Sequence, residues 1–85
     1  MTISDISVTA NLVSIDYDVP HEYVEMIVLL LAMALTYGMS KLDLAALLAR
    51  GTECLSILGN IPKEKALRAT RAAVETFYNL QEQST

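Results

Sequence analysis

The sequence predicts an all-α protein: a three-helix antiparallel bundle with a short extended N-terminal arm, dimerising through its first helix. Three observations lead there. An uncharged run from Met26 to Met39 lies between Glu25 and Lys41, and its first ten residues, Met26 to Leu35, are all apolar. Two later stretches carry a stripe at spacings of three and four: Leu44, Leu47, Leu48, Gly51, Leu55 and Leu58, then Leu67, Thr70, Ala73, Val74, Phe77 and Leu80. Proline stands near the start, and glycine near the end, of the segments so defined, the asymmetry that helix termini favour.

The 85 residues allow one hydrophobic core. Hydrophobic residues make up 53% of the chain and charged residues 19%. That is apolar for a small domain, which has much surface to cover. The excess goes into a full core, a subunit interface or a membrane. The uncharged run holds fourteen residues, short of the roughly twenty that a spanning helix needs. No membrane association is therefore expected. The net charge of −4 disfavours general binding to nucleic acid. One cysteine excludes an internal disulfide, and the first fifteen residues lack the basic and apolar blocks of a signal peptide. A cytoplasmic location is the expectation.

Residues 1–18 are assigned to the arm. Val13, Ile15 and Tyr17 alternate with Ser14, Asp16 and Asp18, a period of two that suggests extended chain. A helix from Ser4 is the weaker alternative because Ile6, Val8, Thr9 and Val13 are β-branched. The helical domain covers 19–82. Its first helix spans about 20–37, opened by Pro20 with Glu22 and Glu25 near the positive end of the helix dipole, and closed by Gly38. The second spans about 41–58, with Ser40 and Asp43 as a capping pair. The third spans about 62–80, with Pro62 in its first turn. Gln81 onward is expected to fray, leaving 83–85 as a polar tail. Short connections make consecutive helices antiparallel neighbours.

The first predicted helix is apolar on every side, whereas the other two each offer one face. A second copy of the chain is expected to complete its cover, with Met26, Leu29, Leu30 and Met33 as the dimer core.

Charge is unevenly distributed. All five charged residues before Met26 are acidic, and all six basic ones lie between Lys41 and Arg71. Asp16, Asp18, Glu22 and Glu25 are thus a candidate acidic surface for a partner protein. The plainer reading is dipole complementarity and solvated surface, with acids of one chain facing bases of another. Asp18, His21, Glu22 and Glu25 could suggest a metal site, but the chain offers no second His and no paired Cys, so no metal is assigned. No cofactor is assigned: the three glycines are too dispersed for a phosphate loop. No catalytic residue is assigned either. Cys54 sits in an apolar helix with no His near it in sequence and reads as an inert thiol.

Two functions follow. The favoured one is a non-enzymatic interaction module: a small acidic adaptor, inhibitor or chaperone-like protein, paired with itself and binding another protein. The alternative is a dimeric DNA-binding regulator using residues 44–71. There Gly51 would fall in a helix-turn-helix turn, with Lys63, Lys65, Arg68 and Arg71 contacting phosphates. The reading helix, Thr52 to Leu58, would then carry Glu53 and no basic residue.

Overall fold

The computed structural model describes residues 3–38 and 41–83, and in them the chain forms four helices and no strand. They are α1 (Ile3–Tyr17), α2 (His21–Thr36), α3 (Lys41–Ile57) and α4 (Lys63–Gln83). The expected three helices correspond to α2, α3 and α4. The expected arm is corrected to a helix.

The reason lies in which positions are buried. Ala10 and Val13 are buried, and Ile6 and Tyr17 pack against the same core, giving spacings of four, three and four. Ile15, which a strand would point the same way as Val13 and Tyr17, is 78% exposed. The helical period places more apolar surface in the core than the alternation does. That outweighs the few tenths of a kcal/mol that each β-branched residue costs in a helix. The Thr9 hydroxyl donates to the Asp5 carbonyl at 2.8 Å, so its burial leaves no unpaired group.

Each helix ends for a local reason. Asp18 adopts φ 53° and the Val19 amide donates to the Ser14 carbonyl at 3.2 Å, a left-handed closure that Asp tolerates. Pro20 then caps α2. Gly38, at φ 82°, closes α2 as the sequence predicts, its amide donating to the Leu35 carbonyl at 3.3 Å. The capping pair at the start of α3 falls on Ser40 and Asp43; Ser40 and the Asp43 side chain lie outside the described residues. Asn60 takes φ 52° between α3 and α4, and the Ile61 amide donates to the Leu55 carbonyl at 3.3 Å.

α4 and α2 each pack on all of the other helices, whereas among the described residues α1 and α3 do not meet. Small side chains make this possible on α4. Ala66, Ala69, Thr70 and Ala73 form its buried face together with Val74 and Phe77. The expected stripe holds at Thr70, Ala73, Val74 and Phe77 but not at Leu67, which is 38% exposed while Ala66 and Ala69 are fully buried. α4 also runs past its expected end near Leu80. Gln81 Nε2 donates to Asp5 Oδ2 at 3.0 Å, tying the last turn of α4 to the first turn of α1. This contact depends on a docked α1, which the sequence reading did not include. The polar tail keeps only Gln83 within the helix; residues 84–85 lie outside the described residues.

The resulting body measures 35 × 27 × 15 Å, a flat slab rather than a cylinder. The core joins all four helices, and Phe77, Leu31, Leu55, Val13, Val24 and Val28 are its largest sealed side chains.

Candidate functional site: an apolar face on α2

α2 is sealed on one side only. Val24, Ile27, Val28, Leu31 and Ala32 are buried, at spacings of three and four. α1 adds cover that the three-helix reading did not count, beside that of α3 and α4. On the opposite side Met26, Leu29, Leu30 and Met33 are 42%, 48%, 49% and 52% exposed, and Tyr37 is 85% exposed. These five repeat at i, i+3, i+4, i+7 and i+11, so they form a single stripe along the helix. The four residues predicted as a dimer core therefore do lie together on one open face. Tyr37 was missed, although its spacing of four from Met33 was visible in the sequence.

Beside this stripe runs a small groove between α2 and α3, about 70 Å³ in volume, walled by Met26, Ile27, Leu30, Leu47, Arg50 and Cys54. Met26 and Leu30 belong to both features, which makes the stripe and the groove one surface. Cys54 is half-buried here, and burial pushes its thiol pKa up from the ordinary value. That lowers the thiolate population at neutral pH and with it the reactivity of the sulfur. The sequence did not reveal this groove, because it depends on how α3 lies against α2.

The acidic residues divide into two groups. Glu22 and Glu25 flank the N-terminal end of the apolar stripe, in a hollow shared with His21, Met26 and Leu29. His21 Nδ1 lies 3.4 Å from Glu25 Oε2, one helical turn away. Asp16 and Asp18 instead line a hollow between the end of α1 and the start of α4, facing Lys65 and Arg68. Lys65 Nζ donates to the Asp18 carbonyl at 3.4 Å. Arg68 Nη2 pairs with Glu64 Oε1 at 2.7 Å. Asp16 and Asp18 thus share a hollow with bases of their own chain, the Lys65 contact there falling on a backbone carbonyl.

The four candidate phosphate contacts share α4, but acids intervene. Lys63 lines a third hollow with Glu53, Glu64 and Leu67, and Arg71 is exposed on the same helix. Gly51 lies inside the uninterrupted α3, so the turn that the DNA-binding reading placed there is corrected. The cause is close packing: a Cβ at Gly51 would stand 2.6 Å from Thr70 Cγ2, so glycine here admits α4 rather than a turn.

Among the described residues, no three His, Cys, Asp or Glu side chains gather in a way that would hold a metal ion. No described helix is long and apolar enough to cross a membrane. Val8, Leu12 and Ile15 form a second, smaller outward stripe on α1, hidden from the sequence reading by its assignment to an arm. No family model, curated protein or solved structure matches the chain.

Proposed function

We propose that the protein is a non-enzymatic protein–protein interaction module, a small acidic adaptor, inhibitor or chaperone-like protein that acts as a homodimer. The observation behind this reading is the apolar stripe Met26, Leu29, Leu30, Met33 and Tyr37 on α2, left open by its own chain. A contiguous apolar patch of this kind on a small domain marks a surface meant to be covered. A helix face is also self-complementary, so one two-fold axis covers the patch on both chains at once. The acids Glu22 and Glu25 at one end of the stripe give the module a charged margin suited to a basic partner protein. The two groups with most chemical potential, His21 and Cys54, sit on different helices, His21 beside Glu25 and Cys54 in the apolar groove.

Light scattering coupled to size exclusion tests the reading. The expected result is a species of twice the 9.3 kDa chain mass that returns to one chain mass in Leu30→Arg. A wild-type protein that stays at one chain mass at every concentration ends the homodimer proposal.

A further inference from the structure

The groove between α2 and α3 says how two copies would fit, an inference that rests on the homodimer reading above. Its walls, Met26, Ile27, Leu30 and Leu47 with the half-buried Cys54, are apolar, with Arg50 at the margin. Any body seated on the α2 stripe also sits over the groove, because Met26 and Leu30 belong to both. An apolar hollow left facing water inside an interface forfeits dispersion contacts along its lining. A side chain from the covering body fills it best if that chain is long, unbranched and apolar, which describes methionine.

The area is right for a second copy. Counting roughly 200 Å² for a fully exposed Leu or Met and roughly 250 Å² for Tyr, the five stripe residues expose on the order of 600 Å² per chain. Two copies face to face would bury at most about 1,200 Å², the lower bound for a specific interface.

Charge selects the orientation of the helices. A parallel pairing would set Glu22 and Glu25 of each chain against the same residues of the other. An antiparallel pairing separates them by the length of the helix and opposes the two helix dipoles. Antiparallel pairing about a two-fold axis near Leu29 and Leu30 brings Met33 of one chain opposite Met26 of the other, which is where the groove lies.

We infer that the homodimer pairs its α2 helices antiparallel, with Leu29 and Leu30 at the axis and the second copy's Met33 filling the α2–α3 groove beside Cys54. Each chain both offers the Met33 side chain and receives one, so two identical pockets close together. Cys54 is thereby covered by dimerisation.

Two measurements on the full-length protein test this. The first follows labelling of Cys54 by dithiodipyridine while protein concentration is raised through the monomer–dimer transition. The labelling rate should fall with the monomer fraction, about tenfold when a tenth of the chains remain monomeric. The second uses Met33→Cys under the mild oxidant diamide, in a protein checked for wild-type helix content. Peptide mapping should find Cys54 of one chain joined to the introduced thiol of the other.

A dimer whose Cys54 labels at the monomer rate overturns the inference while the homodimer reading stands. A cross-link between the two introduced thiols overturns the antiparallel pairing and again spares that reading. A chain that never exceeds one chain mass removes both.

Discussion

Thr70 and Gly51 show how one pair of residues sets a helix-to-helix distance. Thr70 is fully buried, and its hydroxyl is already committed to the Ala66 carbonyl at 2.8 Å. Its methyl group stands 2.6 Å from where a Cβ on Gly51 would be. Turning the methyl group aside would break that hydrogen bond or press the side chain into its sealed surroundings. Gly51→Ala should gain about 1 kcal/mol of helix propensity yet lose about 1–3 kcal/mol to overpacking, lowering the melting temperature by several degrees. Adding Thr70→Ser removes the obstructing methyl and should return most of the loss, as a thermal melt of the double variant would register. A double variant no better than Gly51→Ala alone would refute this account. Phe77, with no exposed surface at the C-terminal end of the buried α4 face, belongs to the same scale. Phe77→Ala should cost about 3–5 kcal/mol, a large part of the roughly 5–15 kcal/mol that folded domains possess. Urea titration should place its midpoint far below that of the wild type.

At the scale of elements, α1 decides the most. It turns an expected arm into a packed helix, covers part of α2 and holds the last turn of α4 through Asp5 and Gln81. Helix and strand make opposite statements about Ile15. In a strand Val13 and Ile15 share a face and tolerate charge equally badly. In α1 they point apart, Val13 at 2% exposure and Ile15 at 78%. Val13→Asp should therefore bury an unpaired carboxylate and cost several kcal/mol, with loss of helical circular dichroism. Ile15→Asp should change stability by no more than about 0.5 kcal/mol. Equal damage from both substitutions would restore the extended arm. The helical period through Ile6, Ala10, Val13 and Tyr17 was legible in the sequence. The alternation of Val13, Ile15 and Tyr17 at its end, with the β-branched Ile6, Val8, Thr9 and Val13, points instead to extended chain.

At the scale of the whole molecule, the flat arrangement explains the open face. A slab 15 Å across its shortest dimension leaves one side of α2 only partly covered, with α3 reaching its edge at Met26 and Leu30. If a second copy covers it, folding and pairing are linked, and the melting temperature rises with protein concentration. Leu30→Arg should abolish that concentration dependence while leaving the dilute-limit melting temperature close to the wild-type value, since Leu30 is 49% exposed in the single chain. Calorimetry at several concentrations decides this. A concentration-independent wild-type transition would argue against pairing.

The sequence by itself determined α2, α3 and α4 to within a few residues, the Gly38 closure and the four apolar residues that share one face of α2. These rest on local rules of periodicity and capping, which act within a few residues of chain. Only the tertiary structure decided that residues 3–17 are helical, that Ala66 and Ala69 rather than Leu67 complete the buried face of α4, and that Gly51 marks a close approach. It also decided that Asp16 and Asp18 line one hollow with Lys65 and Arg68 of their own chain, and that the α2 stripe opens onto a groove beside Cys54. All of these depend on which surfaces from distant parts of the chain meet, and burial against them, rather than intrinsic preference, sets the balance.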